Sequence, residues 1–124
     1  MRTTTLAVAA LLLGGISAGC GSYPAPSDRL TTTQAAIRGA AEVGAGQVPR
    51  AALHLKLAEE QTEKAKVLMQ DGYNERAELT LRRAQADAEL AIMISKEHQQ
   101  VEAAKAAQEK VQKMRAELQK GTRK

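Results

Sequence analysis

Residues 75–95 read ERAELTLRRAQADAELAIMIS, and small or aliphatic side chains recur there every three or four positions. This spacing predicts a helix with one narrow packing face, which consists of Ala77, Leu81, Ala84, Ala88 and Ala91. We interpret three further residues as lying beside it: Ala86, Leu90 and Met93. Glycine and proline are absent from residue 75 to residue 120, so the helix is expected to run over that whole range.

A second helix is predicted upstream, from Pro49 to Gln70, since proline suits the first turn of a helix. Its packing face repeats at four and three residues: Ala51, Leu55, Ala58, Thr62, Ala65 and Met69. Leu53, Leu57 and Leu68 are interpreted as widening that face. Gly72 is predicted to adopt a left-handed conformation after the helix, and Asn74 to cap the next one. This short turn makes the two helices antiparallel neighbours.

A shorter first helix is predicted over residues 28–43, with Ser27 as its N-cap and Gly44 at its end. One face combines Leu30, Thr33, Ile37 and Ala40. The predicted fold class is therefore all-α: an elongated antiparallel helical hairpin with a shorter N-terminal helix, three helices in total, and a projecting C-terminal helix.

The third helix would be about 69 Å long and the second about 33 Å, so residues from Lys96 onward lack a partner in the hairpin. A sparse apolar stripe continues there through Val101, Ala104, Ala107, Val111, Met114 and Leu118. An isolated amphipathic helix is marginal in water. We therefore predict a partner-binding helix face at Val101, Ala104, Val111, Met114 and Leu118, and either self-association or binding to another envelope protein.

The composition argues against catalysis. The chain of 124 residues contains two Tyr, no Phe, no Trp and one Cys, so an enclosed aromatic-lined pocket and an internal disulfide are not expected. We predict no enzyme activity, no catalytic residues and no cofactor. His98 and Glu102 share a helix face, but two ligands without a third make a poor metal site, so no metal is expected. His54 is expected at the edge of the hairpin.

Residues 1–19 resemble a cleaved signal peptide, with Arg2 before the apolar run LAVAALLL at residues 6–13. Ile16-Ser17-Ala18-Gly19-Cys20 resembles the bacterial lipobox, although Ser17 stands where leucine is usual. The resemblance implies lipidation at Cys20; the alternative is an ordinary secretory signal with an incidental cysteine. Residues 20–27 would then form a lipidated flexible tether, residues 28–120 the helical domain, and residues 121–124 a basic tail.

The lipobox also implies a location in the cell envelope. Gly21 follows Cys20, where aspartate would suggest retention in the inner membrane under enteric-type sorting. The expected location is therefore the outer membrane, facing the periplasm, with the lipid anchor as the membrane contact. A Gram-positive host would change that expectation. No nucleic-acid partner is expected, because the signal removes the protein from the cytoplasm.

Three stretches carry a resemblance to a known family: LHLKLAEE at residues 53–60, DGY at residues 71–73 and AQADAELA at residues 84–91. With the lipobox, they are similar to the small bacterial lipoproteins of domain of unknown function 4398. The resemblance covers residues 28–118 and implies a helical lipoprotein. It implies no activity and no catalytic residue, because the family has none assigned.

The C-terminal region is strongly basic, with Lys110, Lys113, Arg115, Lys120, Arg123 and Lys124. One interpretation is that these cations interact favourably with the negative C-terminal end of the helix dipole. The other is that they attract anionic envelope polymers or lipid headgroups. Thr122-Arg123-Lys124 resembles the end of enteric lipoproteins whose terminal lysine amine is joined to peptidoglycan. The predicted function is a non-catalytic, lipid-anchored structural or protein-interaction module. The alternative is a tether from the outer membrane to peptidoglycan, with Lys124 as the candidate attachment residue.

Overall fold

The computed structural model describes residues 23–122, and within them the chain forms three α-helices and one short 3₁₀ turn. Helix α1 is Ser27–Glu42, the 3₁₀ turn is Ala45–Gln47, α2 is Pro49–Gln70 and α3 is Asn74–Gly121. No strand occurs in this part of the chain. The all-α prediction, the hairpin and the long C-terminal helix are confirmed. The predicted signal peptide, Cys20 and Lys124 lie outside the described residues.

The three helices run up, down and up. Thr33 of α1 donates a hydrogen bond to the Leu81 carbonyl, and Gln99 of α3 donates one to the carbonyl of Val43 just after α1. A later residue of the α1 region thus contacts a later residue of α3, so these two helices are parallel. Helix α2 is antiparallel to both, because Ala51 packs near Ala91 whereas Ala65 packs near Ala77.

The core is built mainly from alanine. Nine alanines have no exposed surface: Ala40, Ala45, Ala51, Ala58, Ala65, Ala77, Ala84, Ala88 and Ala91. Leu81 is the largest fully buried side chain. Small side chains allow the backbones of α2 and α3 to approach closely, which is why a chain with few large hydrophobic residues can still form a packed interior.

Hydroxyl groups fill the remaining small positions of this core without leaving a polar atom unpaired. Thr62 donates to the Ala58 carbonyl at 2.7 Å, and Ser95 donates to the Ala91 carbonyl at 2.9 Å. Each hydroxyl is satisfied by its own helix, so it can be buried at little cost. The predicted packing faces of α1 and α2 are confirmed by the burial of Thr33, Ala40, Ala51, Ala58, Thr62 and Ala65.

Gly72 forms the α2–α3 turn in the left-handed conformation that the sequence predicts, with φ of 80°. The amide of Gly72 donates to the Met69 carbonyl, and the amide of Tyr73 donates to the Leu68 carbonyl. These two bonds satisfy the last carbonyls of α2 in a Schellman arrangement. The turn is therefore closed by backbone bonds, and α3 begins directly beyond it.

Both predicted N-caps are wrong. Ser27 is the first residue of α1, because the Pro26 carbonyl already accepts the first helical bond, from Leu30. Asn74 is the first residue of α3, and its side-chain amide donates instead to the Tyr23 carbonyl at 2.8 Å. Leu53, predicted to widen the packed face of α2, is 58% exposed. A propensity for capping is a local preference, and here backbone and tertiary contacts override it.

Candidate functional site

The second half of α3 has no partner among the described residues. Every residue from Lys96 to Thr122 is exposed, while Ser95 is fully buried. The last side-chain contact with the rest of the bundle comes from Gln99, which reaches the Val43 carbonyl at 2.9 Å. The predicted projection of the helix beyond Lys96 is confirmed. At 1.5 Å per residue, its free part extends for about 35–40 Å.

The predicted partner-binding residues lie on this unpartnered part. Val101, Val111 and Met114 are between 41% and 46% exposed, and Leu118 is 71% exposed. Ala104 is exposed as well. These side chains recur at three- and four-residue spacing and share one side of the helix.

The apolar stripe extends further than the sequence predicts. Leu79, Leu90 and Met93, on the first half of α3, are 52%, 40% and 67% exposed, and Ala86 is exposed too. Together with the projecting part they form what we call the outer face: Leu79, Ala86, Leu90, Met93, Ala104, Ala107, Val111, Met114 and Leu118. The prediction that Ala86, Leu90 and Met93 lie beside the packed seam is wrong.

Helix geometry explains this correction. The packed residues of α3 form what we call the inner seam: Ala77, Leu81, Ala84, Ala88, Ala91 and Ser95. The outer face repeats with the same period, but its members are offset by two residues from those of the inner seam. At 100° per residue, the two stripes lie roughly 160° apart around the helix axis. Helices α1 and α2 cover the inner seam and leave the outer face open.

The inner seam itself ends in polar residues. Continued at the same spacing beyond Ser95, it passes through His98, Glu102, Lys105 and Glu109. Lys105 donates to Glu102 at 2.9 Å, and this hydrogen bond, with the charge of Lys105, lowers the pKa of Glu102 below its ordinary value. The side of the projecting helix that continues the packed seam is therefore a charged, solvated surface.

Two polar clusters join the helices of the bundle, and the sequence predicts the contacts between helices in neither of them. In the first, Glu78 on α3 receives hydrogen bonds from Arg82 at 2.9 Å and from Arg29 of α1 at 3.2 Å. The bond from Arg82 lowers the pKa of Glu78; burial raises it, and the charge of Arg29 lowers it again, leaving it below the ordinary value. Arg29 also donates to Gln85. This cluster fixes α1 against α3.

In the second cluster, Nδ1 of His54 lies 2.9 Å from Oδ1 of Asp87, and Gln61 donates to the other carboxylate oxygen at 2.8 Å. His54 and Gln61 are seven residues apart on α2 and share one face. This spacing is the sequence feature from which their placement on one side of α2 could have been predicted. His54 is partly buried between α2 and α3, close to its predicted place at the hairpin edge. His54 and Gln61, the two side chains that contact the Asp87 carboxylate, position α2 against α3.

The charge spacing of the sequence predicts i,i+4 ion pairs, which are Glu60 with Lys64 on α2 and Glu78 with Arg82 and Glu109 with Lys113 on α3. The Glu78–Arg82 pair is confirmed. On α2, the predicted Glu60–Lys64 pair is replaced by Lys56 with Glu60 at 3.8 Å and by Lys66 with Glu63 at 2.6 Å. Exposed pairs of this kind contribute little to stability, so the exchange has no consequence for the fold.

The beginning of the described chain lies at the α2–α3 turn, because Asn74 bonds to the Tyr23 carbonyl. Cys20 is three residues earlier, and three residues of chain span at most about 11 Å. From that turn, α3 runs for 48 residues, or about 72 Å. Tyr23 and the distal end of α3 are therefore at opposite ends of the described structure.

Concave and ligand-binding features are sparse in the described part. One open groove lies beside residues 23–26 and is lined by Arg29, Thr32 and Glu78. Within residues 23–122, no three His, Cys, Asp or Glu side chains are arranged to bind a metal. None of the described helices combines the length and apolar character needed to cross a bilayer. The outer face is thus the most extensive feature left for binding.

No protein-family model, curated protein or solved structure matches this chain.

Proposed function

We propose that this chain is a non-catalytic lipoprotein of the cell envelope, anchored through lipid at Cys20, whose α3 helix presents a binding surface to a protein partner. The observation that carries the proposal is the outer face. It is an apolar stripe on a single helix, interrupted only by Arg83, Glu97 and Gln100 and exposed along its length, and monomeric proteins seldom leave such a surface without use.

The position of Tyr23, at the start of the described residues, supports the anchor. Position 20 lies within about 11 Å of Tyr23, which is held at the α2–α3 turn by Asn74. Lipid at Cys20 would therefore hold the turn end of the bundle close to a bilayer, while α3 leads away from that end. Two or three acyl chains make such an anchor stable, at about 0.8 kcal/mol for each buried CH₂ group.

The outer membrane, facing the periplasm, remains our proposed location, on the strength of Cys20 followed by Gly21. Membership of the lipoproteins of domain of unknown function 4398 is part of the same proposal and rests on the AQADAELA stretch at residues 84–91.

The anchor is tested by growing cells that express the full chain with labelled palmitate. We expect label in the wild-type protein and none in the Cys20→Ser variant, with Ser22→Ala, outside the lipobox, as a matched control that keeps the thiol. Processing but no label in the wild type would show an ordinary secreted protein and overturn the anchor.

The second candidate function is a tether between the outer membrane and peptidoglycan through Lys124. Its support is the length of α3, which carries the chain about 72 Å from the turn before the last residues. We expect muramidase digestion of purified sacculi to release the protein, and Lys124→Ala to abolish this attachment while Lys120→Ala leaves it intact. Complete extraction of the wild type by hot detergent would exclude the tether.

A further inference from the structure

The outer face has the pattern of a helix-pairing surface. From Leu79 to Leu118 its members follow alternating three- and four-residue steps, which is the a and d pattern of a heptad repeat. Only Arg83, Glu97 and Gln100 interrupt it with polar side chains. We propose that this face binds a second copy of the chain antiparallel to the first, in the register that places Leu79 opposite Leu118 of the second copy. The inference rests on the partner-binding part of the proposed function and names the partner.

Side-chain size supports this register. In antiparallel pairing, each a position faces a d position of the other helix. Three of the apolar layers combine a large side chain with a small one, and a fourth joins two leucines: Leu79 with Leu118, Ala86 with Val111, Leu90 with Ala107, and Met93 with Ala104. Alternation of this kind fills the space between two helices without voids. Two further layers contain polar side chains: Arg83 faces Met114, and at the centre the carboxylate of Glu97 faces the amide of Gln100, which is able to donate a hydrogen bond to it.

The charges beside the stripe favour the same register. The residue before each a position faces its counterpart on the other helix. Arg82 then faces Glu117, and Glu89 faces Lys110, and two-fold symmetry repeats both pairs. All four of these flanking contacts join opposite charges. The side chains of Arg82 and Glu89 are exposed and able to reach a partner.

The parallel arrangement is disfavoured by the same residues. Two parallel helices in register place each residue of the stripe opposite itself. Arg83 would then face Arg83, and Glu97 would face Glu97, in the seam of the pair. Lys110 would lie beside Arg115 on the flank, because these positions meet in a parallel pair. Like charges in direct opposition are destabilising, so charge selects the antiparallel orientation.

The available area also indicates that the whole outer face takes part. A stripe about 60 Å long and about 10–12 Å wide covers roughly 600–700 Å² of each copy, close to the ~800 Å² per partner of an ordinary stable interface. The projecting part alone would supply about half of that. Because α1 and α2 cover the inner seam, roughly 160° from the outer face, both bundles stay clear of the contact.

Antiparallel pairing has a consequence for the anchor. It places the turn end of one copy beside the distal end of the other, so the pair has one position 20 near each end. A paired molecule would therefore present anchors at both ends of a rod about 70 Å long. Antiparallel pairing and the peptidoglycan tether are mutually exclusive arrangements. The tether requires the distal end of α3 to lie away from the membrane, whereas pairing places an anchor beside that end.

The register is tested by sedimentation of the chain from residue 20 with Cys20→Ser, which contains every described residue. We expect a concentration-dependent dimer. Lys110→Glu and Glu89→Lys should each weaken self-association by about five- to tenfold, because each creates like-charge pairs. An equimolar mixture of the two variants should restore association, since every Glu89–Lys110 contact then joins opposite charges again. Lys113→Glu, an equal charge change away from the flank, should leave the dimer unchanged.

Orientation is tested by mild oxidation of mixed single-cysteine variants in the same background. Leu90→Cys and Ala107→Cys should form a mixed disulfide, since these positions face each other only in the antiparallel pair. Disulfides joining Leu90→Cys chains to one another would show a parallel pair, and a monomer at high concentration would overturn pairing altogether. The palmitate experiment is independent of both results, so loss of the pair leaves the anchor standing and loss of the anchor leaves the pair.

Discussion

The two halves of α3 belong to one uninterrupted helix, yet they exist in different environments. Up to Ser95 the helix buries its inner seam against α1 and α2; from Lys96 onward every residue is exposed. Alanine is abundant in both halves, so alanine content does not determine burial. Burial depends on where α2 begins and α1 ends, because a helix face is packed only where another helix lies beside it.

The largest expected contrast comes from removing a leucine in each half. Leu81 is fully buried, so Leu81→Ala should lower the free energy of unfolding by about 2–5 kcal/mol through lost burial and a cavity. Leu118→Ala, at a dilution where the chain is monomeric, should change it by less than about 0.5 kcal/mol. Urea unfolding followed by circular dichroism measures both. An equal loss in the two variants would mean that the projecting half is packed.

Adding volume to an alanine should sharpen the same comparison. Ala88 has no exposed surface, so Ala88→Leu should force α2 and α3 apart and cost about 1–3 kcal/mol. Ala106 is exposed and lies off the outer face, so Ala106→Leu should be nearly neutral. Thermal unfolding measures the difference. A neutral Ala88→Leu would contradict close packing along the inner seam.

The two carboxylates with lowered pKa values give a contrast in pH dependence. The pKa of Glu78 is lower in the folded state than in the unfolded chain, where it is about 4.3. The ionised carboxylate therefore stabilises the fold at pH values above the unfolded pKa. This stabilisation is lost as the pH falls through the lower pKa of the folded state. Glu78→Gln should cost about 1 kcal/mol at pH 7 and flatten the loss of stability below pH 5.

The control for this prediction is Glu102→Gln. The pKa of Glu102 is also lowered, but by Lys105 within the projecting half. Its replacement should leave the acid unfolding of the bundle as it is in the wild type. Unfolding measured across the acid range separates the two carboxylates, and matching profiles for both variants would show that the halves are coupled.

The smallest expected effect is a gain. Gly39 lies inside α1, and a β-carbon there would meet Cδ1 of Ile92 at an ordinary contact distance of 3.7 Å. Gly39→Ala should stabilise the bundle by about 0.5–1 kcal/mol through helix propensity. Gly72→Ala should destabilise it by about 1 kcal/mol, because Gly72 has φ of 80°. A rise in melting temperature for the first variant and a fall for the second are expected.

Several features of the fold were predictable from local pattern. Pro49 and Gly72 mark the start of α2 and the turn after it, because proline suits a first turn and glycine accepts positive φ without strain. The N-caps were not predictable, since Asn74 bonds to Tyr23, 51 residues away in sequence. The contacts of Arg29 with Glu78 and of His54 with Asp87 likewise depend on the alignment of separate helices.

The candidate site shows the same division. Period alone located Val101, Val111 and Leu118 on one side of α3, and helix lengths indicated that this part lacks a partner. Spacing also located the packed face of α3, because the predicted residues Ala77, Leu81, Ala84, Ala88 and Ala91 are all fully buried. The sequence placed Leu90 and Met93 beside that narrow face, whereas in the packed bundle they belong to a separate, exposed stripe.

The sequence by itself determined three helices, their turns, the length of α3 and the absence of a large hydrophobic core, because these follow from propensity, spacing and composition. The tertiary structure alone decided that Leu79, Leu90 and Met93 form a second stripe, left exposed by α1 and α2. Alanines at Ala77, Ala84 and Ala91 permit close approach of α2, whereas Leu79 and Met93 would hold the backbones apart. The close packing of small side chains thus turns the larger ones outward, and that orientation creates the outer face.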